Sequence, residues 1–206
     1  MRIPNERHLA VDLRVHDLLR DFRLEDVWQL PEVTGSRDDF ELVIERIRSG
    51  SPMSSGNLAS RFVWGVRQLL GKVFDLGDVA HATDGRADGL PIPGAEETSI
   101  VPRLPADLRG TADDLRFTDL PFVPVYRTAT EFAAEISNRT VHGVLHLSWI
   151  PVGGERYEGR MAVYVKPRGW FGEAYMAFIK PFRYLIVYPA LEKQMAREWA
   201  ELTAAR

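Results

Sequence analysis

The sequence of 206 residues contains no cysteine. Disulfide bonds, thiolate nucleophiles and cysteine-ligated zinc or iron–sulfur sites are therefore excluded. A basic excess is also missing, because the net charge is -3, and this disfavours a protein dedicated to binding the phosphate backbone of nucleic acids. The sequence has no Gly-x-Gly-x-x-Gly motif of the kind that binds a dinucleotide after a strand. We expect no nucleic-acid partner and no attached dinucleotide-binding domain.

Long uninterrupted apolar runs are scarce as well. The N-terminal segment Met1–His8 carries charges where a signal peptide has its apolar stretch. The most apolar segment, Trp170–Leu191, is interrupted by two prolines and by Glu173, Lys180 and Arg183, which are awkward in a transmembrane span of roughly 20 residues. We therefore expect a cytoplasmic protein without a transmembrane span.

The first part of the chain predicts helices around one strand. Residues Leu9–Phe22 predict a short helix, and Asp26–Pro31 predicts an extended strand that its proline ends. The segment Ser36–Asp39 resembles a helix cap with acids in the first turn, and the spacing after it predicts an amphipathic helix. A second helix is predicted over Leu58–Phe74. The apolar positions of the first amphipathic helix are Phe40, Val43, Ile44 and Ile47.

The middle of the chain predicts a loop. The composition, 45% hydrophobic and 27% charged, is that of an ordinary globular protein, and we expect a single domain over residues 1–206. Within it, Leu76–Pro105 is rich in Gly, Pro, Asp and Ala without periodicity, which predicts a long loop. Such a loop is either a mobile insertion or a functional lid, and we favour the insertion.

Strands dominate after the loop. The connection Pro151–Glu155 predicts a hairpin, because its two glycines supply the positive φ that tight reversals require. The predicted strands are Phe122–Tyr126, Thr128–Ser137, Val141–Ile150 and Arg156–Lys166. Together with the helices, they predict an α+β domain.

The C-terminal segment predicts one long amphipathic helix. It begins at Gly169–Gly172, and Pro181 and Pro189 should bend or split it, since each removes an internal hydrogen bond. Its apolar positions recur at helical spacing at Tyr175, Phe178, Ile179, Phe182, Leu185 and Ile186. A face this aromatic must pack against something, and the sheet is the large partner that the strand pattern offers.

Several segments carry a family resemblance, and they are Asp26–Pro31, Asn138–His142, Met161–Pro167, Gly169–Gly172, Tyr175–Arg183 and Val187–Pro189. In these the chain resembles the bacterial domain of unknown function 2867 family, which looks related to the helix-grip superfamily of START lipid-transfer domains, polyketide cyclases and the birch-pollen allergen (SRPBCC). The resemblance implies a curved antiparallel sheet wrapped around a long C-terminal helix, with two shorter helices after the first strand. A cavity is implied between sheet and helix. The resemblance supplies no catalytic residues.

Strand alternation predicts the residues that line this cavity. On the strand Val141–Ile150 one face is apolar, and on the last strand the face of Tyr157 and Met161 is more apolar than the face of Arg160 and Tyr164. The predicted ligand-binding residues are Leu145, Leu147, Trp149, Met161, Val163, Tyr175, Phe178 and Phe182.

The polar residues on the strands are weaker indications of a functional site than the apolar ones. His142 and His146 share a face, but on a strand they lie roughly 13 Å apart, too far to share one metal. Ser148 follows on the same face without an evident acid, which disfavours a hydrolase triad. Glu131 and Glu135 share a strand face with Arg127, which suggests a charged outer surface. We expect no metal site and no cofactor.

Three functions are consistent with these predictions. We favour a non-catalytic or weakly catalytic protein that binds a small hydrophobic or amphipathic molecule in the cavity. The first alternative is an enzyme of the cyclase or dehydratase kind, in which His146, Arg160 or Tyr164 would act as acid, base or oxyanion partner in the same cavity. The second is an accessory module that docks on a separately encoded reductase. The oligomeric state and the ligand's identity stay open.

Overall fold

A computed structural model describes residues 1–49, 99–117, 122–137, 141–182, 199–200 and 204. Five antiparallel strands form one sheet in the order β1-β5-β4-β3-β2. The helices are α1 (Asn5–Leu9), α2 (Arg14–Leu18), α3 (Phe40–Ser49) and α4 (Gly169–Phe182), with 3₁₀ turns at Arg37–Asp39 and Val101–Arg103. The strands are β1 (Arg23–Gly35), β2 (Val123–Arg127), β3 (Glu131–Ser137), β4 (Val141–Gly153) and β5 (Arg156–Pro167). The predicted α+β class is confirmed.

Strands β2 to β5 form a meander, in which each strand pairs with the next along the chain. The hairpin between β4 and β5 turns at Gly153 and Gly154, whose φ angles are 109° and 60°. Both values lie in the left-handed region that glycine adopts without steric cost, which confirms the predicted hairpin. Strand β1 pairs with the side of β5 that β4 leaves open, so the first and last strands are neighbours.

Strand β1 does not end at its proline. It continues from Arg23 through Pro31 to Gly35, and the register with β5 shifts between Leu30 and Thr34. Because proline has no N–H to give to a ladder, such an irregular stretch is where a strand tolerates it. The prediction that Pro31 ends the strand is therefore wrong.

The helix predicted over Leu9–Phe22 is also wrong in its bounds. The segment forms two short helices, and Leu13 between them is extended, with φ -129° and ψ 137°. The second helix starts at Arg14 because the backbone N–H groups of Arg14 and Val15 donate to the side chain of Glu131 on β3. A distant carboxylate thus fixes where α2 begins.

Helix α3 begins as its sequence predicts. The backbone N–H and the hydroxyl of Ser36 both donate to a carboxylate oxygen of Asp39, at 2.7 and 2.9 Å. The residue before this cap must be glycine, because a Cβ on Gly35 would lie 2.5 Å from the same oxygen of Asp39. The cap thus ties the end of β1 closely to the start of α3.

Both faces of the sheet are covered. We call one the N-terminal face: it carries Val27, Ala133, Val144, Ala162 and Tyr164, and α1, α2, Ile100, Leu104 and Leu108 pack over it. We call the other the aromatic face: it carries Trp28, Phe132, Leu147, Trp149 and Met161, and α3, Ala112, Leu115 and Trp199 pack over it. The sheet is therefore the middle of three layers.

Helix α4 begins at Gly169, as predicted, and follows β5 directly. An ion pair of 3.0 Å between Arg23 and Glu173 connects it to β1. The helix predicted over Leu58–Phe74, the part of the predicted loop before Ser99 and the predicted continuation of α4 after Phe182 lie outside the described residues, apart from Trp199, Ala200 and Ala204. None of the described helices is long and apolar enough to cross a membrane.

Candidate functional site

The aromatic face contains the strand residues predicted to line a cavity. Leu147, Trp149 and Met161 are buried there, and Leu145 and Val163 are half-buried. Tyr175, Phe178 and Phe182 belong to α4, but their side chains lie outside the described part of the structure. The structure thus brings the five predicted strand residues onto one face.

Trp149 is the centre of this face. Its indole N–H donates to the backbone oxygen of Ser36 at 2.8 Å, and its ring stacks on those of Phe40 and Tyr157. The ring of Trp199 lies 6.2 Å away, and its own N–H donates to the backbone oxygen of Thr34 at 3.1 Å. A residue near the C-terminus therefore returns to the aromatic face.

The three predicted weak catalytic candidates lie together on the opposite, N-terminal face. His146 and Tyr164 approach within 6.4 Å, measured between ring centroids, and Arg160 precedes Tyr164 by four residues on β5. All three are buried. The sheet therefore separates them from the predicted cavity wall.

Glu131 holds this polar group together. One carboxylate oxygen accepts the backbone N–H of Arg14 at 3.0 Å, and the other accepts the N–H of Val15, the Tyr126 hydroxyl and Nε2 of His146. Burial raises the pKa of Glu131, but the hydrogen bond and charge of His146, with the other donors, outweigh it and leave that pKa below its ordinary value. Glu131 is a buried carboxylate stabilised by four donors from three elements, α2, β2 and β4.

A second glutamate–histidine pair, Glu135 and His142, lies four residues from the first pair on both strands. Nε2 of His142 is 3.0 Å from Glu135, which also accepts the Ser99 hydroxyl and the backbone N–H of Ile100. Glu131 and Glu135 are therefore buried, and the charged outer face predicted for them with Arg127 is wrong. Their charges are matched by buried donors, which composition does not reveal. The signal was the equal four-residue spacing of the two glutamates and the two histidines on neighbouring strands.

His8 and His16 join the site from α1 and α2, and the sequence did not point to them. His8 is fully buried, and its Nε2 lies 3.1 Å from the Tyr164 hydroxyl. Its ring centroid is 5.4 Å from that of His16 and 5.8 Å from that of His146. Burial, with the charges of His146, His16 and Arg160, lowers the pKa of His8 to about 3. His8 is therefore neutral in the folded protein.

The two tyrosines are protonated. Burial raises the pKa of Tyr164, and the charge of Glu131 raises it further. The pKa of Tyr126 is raised for the same two reasons. Each hydroxyl is therefore a permanent donor at neutral pH. We call the group of His8, His16, Glu131, His146 and Tyr164 the histidine cluster.

Metal binding has no donor set here. Within the described ranges, no three His, Asp or Glu side chains come together at metal-ligand distances. His142 and His146 each contact a different glutamate, so these two histidines, which are four residues apart, do not form one site.

The chain matches the model of one protein family, described as "Protein of unknown function (DUF2867)", over residues 18–190. No curated protein and no solved structure matches it. The matched region includes the whole sheet, α3 and α4, and it begins at the last residue of α2, after His8 and His16, two members of the histidine cluster. Because the match covers most of the sequence, the chain belongs to the DUF2867 family.

Proposed function

We propose that the protein binds a small hydrophobic or amphipathic molecule between its aromatic face and its C-terminal helix. One observation carries the proposal: the strand register aligns large apolar side chains in a continuous row across four strands. Phe132 on β3 pairs with Leu147 on β4, Leu147 pairs with Met161 on β5, and Met161 pairs with Trp28 on β1. Ligand pockets are lined by such apolar and aromatic surfaces.

The neighbouring row of paired side chains supports the presence of a space beside these large apolar residues. Ala134 pairs with Leu145, and Leu145 pairs with Val163. Leu145 and Val163 are only half-buried, whereas Leu147 and Met161 next to them are buried. A short side chain followed by half-buried ones marks the border of the packed core. We expect the ligand to contact Leu145 and Val163 there, with Leu147, Trp149 and Met161 behind it.

The order of elements also supports the proposal. Strand β1 is followed by α3, then by the meander, and β5 is followed at once by α4. This is the order that a helix-grip fold implies. In such a fold, α4 would supply the second wall through Tyr175, Phe178 and Phe182. The position of Trp199 beside Trp149 fits a C-terminal segment that lies along this face.

A test uses substitutions that fill the space without removing core atoms. Val163→Phe and Leu145→Phe should each weaken the binding of an apolar fluorescent probe by roughly tenfold, because an added ring occupies volume that the probe needs. Val152→Phe, in the exposed hairpin, is the matched control and should bind the probe as the unmodified protein does. Native mass spectrometry of the freshly purified protein should show a bound apolar molecule.

Equal probe affinity in all three variants would contradict the proposal, as would a protein that carries no molecule and binds no probe. Thermal unfolding of each variant separates loss of the space from loss of the fold. A filled space should leave the melting temperature unchanged or raise it, since additional apolar area is buried.

The alternative functions have less support. A cyclase or dehydratase acting at the aromatic face would need an acid or base there, and His146, Arg160 and Tyr164 lie on the opposite face. Among the described residues, the exposed large apolar side chains are scattered, at Met1, Leu9, Val152 and Trp170. An accessory module would dock through a contiguous patch. Binding of an apolar molecule is therefore the function that the geometry supports best.

A further inference from the structure

Two buried polar side chains beside the histidine cluster have donor groups that the cluster does not use. Ser148 on β4 and Arg160 on β5 are register partners, and they are 1% and 5% exposed. Nε and Nη1 of Arg160 and the hydroxyl of Ser148 have no hydrogen-bond partner in the described part of the chain. The contact that Arg160 does make is a long one, 3.4 Å from Nη2 to Glu158.

Imidazole nitrogens meet at the same place. His146 lies two residues before Ser148 on the same face of β4. The ring centroid of His8 lies within 6 Å of those of His146 and His16. Nδ1 of His8, Nδ1 of His146 and Nε2 of His16 also have no partner among the residues that the structure describes. Six buried polar atoms from five residues therefore converge between α1, α2 and the strands β4 and β5.

These six atoms therefore need a hydrogen-bond partner that is not a side chain of the described residues. Buried polar groups in native proteins nearly always have hydrogen bonds, and each exception needs an explanation. The acids nearby do not supply one. Glu131 already accepts four donors, and Glu158 accepts the side-chain amide of Gln29 at 2.6 Å.

The charge of the partner follows from the groups around it. Arginine is always protonated and can only donate, so two of its nitrogens require an acceptor. Glu158 balances Arg160 through a single long contact, and Glu131 is occupied by α2, Tyr126 and His146. The positive charge of Arg160 is therefore only partly balanced by the described side chains. The surroundings therefore favour an oxyanion.

We propose that the space between α1, α2 and the strands β4 and β5 is a second binding site, which takes a small oxyanion such as a carboxylate or phosphate group. Arg160 and Ser148 are its donors, and the Nδ1 atoms of His146 and His8 lie at its border. The site is on the opposite face of the sheet from the apolar ligand and does not depend on it.

The test compares thermal unfolding of the full chain in sodium acetate, sodium phosphate and sodium chloride at equal pH and ionic strength. Either oxyanion should raise the melting temperature saturably over chloride, because a ligand that binds only the folded state stabilises it by mass action. Acetate and phosphate distinguish the two kinds of group. Arg160→Met should abolish the saturable response, and Ser148→Ala should weaken the apparent affinity by roughly tenfold.

Arg20→Met is the control, since Arg20 is exposed and paired with Asp17, and it should leave the anion response intact. If Arg160→Met does not fold, Ser148→Ala decides the matter, because it removes one oxygen only. A direct readout is the ¹⁵N spectrum of the imidazole rings, in which the anion should shift the resonances of His146 and His8. An identical response in acetate, phosphate and chloride, or an unchanged response in both variants, would overturn the proposal and leave ordered water as the partner of these atoms.

Discussion

A carboxylate oxygen of Glu131 on β3 lies 3.0 Å from Nε2 of His146 on β4, and the same side chain accepts hydrogen bonds from Tyr126 on β2 and from the first two residues of α2. One carboxylate thus connects three strands and a helix. Because a carboxylate only accepts, Nε2 of His146 carries the proton in this contact. The other ring nitrogen, Nδ1, has no hydrogen-bond partner among the described residues.

Replacing this carboxylate should be costly. Glu131→Gln puts an amide N–H₂ where donors already converge, so we expect a loss of about 3–5 kcal/mol in the free energy of unfolding, measured in urea. Asp107→Asn is the control, because Asp107 makes an exposed ion pair with the side chain of Arg14. It should change that free energy by less than about 1 kcal/mol. Similar values for the two variants would show that Glu131 is not structurally central.

Acid should destabilise the protein through His8. The folded pKa of His8 is about 3, whereas the ordinary value is 6.5, so between these values the unfolded chain binds the additional proton. The free energy of unfolding should therefore fall by up to about 1.4 kcal/mol per pH unit from this group as the pH drops below 6.5. Unfolding in urea between about pH 5 and 6.5 measures it while carboxylates stay ionised.

His8→Gln removes this titration and keeps a side chain that can bond to the Tyr164 hydroxyl. The dependence on pH should become markedly flatter in this variant. His16→Gln is the graded comparison, because His16 is half-buried and its pKa is lowered by burial and by the charge of His146. Equal slopes in the unmodified protein and in His8→Gln would refute the assignment to His8.

Two tryptophans allow a matched test of the aromatic face. Trp149→Phe removes the indole N–H that donates to Ser36 and leaves a gap beside Phe40, so we expect a loss of about 1–3 kcal/mol in the free energy of unfolding. Trp170→Phe is the same chemical change at a side chain that is 81% exposed, and it should alter stability by less than about 0.5 kcal/mol. Denaturant unfolding of both variants provides the comparison.

The hairpin glycines should differ from each other. A Cβ added at Gly153 or Gly154 would meet no atom within 4 Å, so only backbone conformation decides the cost. Gly153→Ala, at φ 109°, should lose about 1–2 kcal/mol of stability. Gly154→Asn, at φ 60°, should lose less, because asparagine tolerates the left-handed helical region. Equal melting temperatures for the two variants would contradict this ranking.

The elements that the sequence predicted correctly are those with local causes. The meander follows from alternation and from the two glycines at its last turn, and α3 follows from the cap of Ser36 and Asp39. The same alternation put Trp149 and Met161 on one face.

The histidine cluster was not predictable in this way, because its contacts join distant positions. His8 reaches Tyr164 across 156 positions, and the start of α2 at Arg14 depends on Glu131, 117 positions later. No local pattern encodes these distances. The burial of Glu131 and Glu135 was missed because a charged residue on a strand suggests solvent until its donors are known.

The pairing of β1 with β5 has a consequence for biosynthesis. Gln29 and Glu158, which bond across these strands, are 129 positions apart, so β1 leaves the ribosome long before its partner is translated. Until then Met1 and Ile3 can bond to one edge of β1, through Gln29 and Val27, and Asn5 can donate to Leu24, while the edge that pairs with β5 stays open. An apolar strand with an unpaired edge is prone to pair with strands of other chains. We therefore expect β1 to be open to non-native pairing in the nascent chain until β5 has been translated.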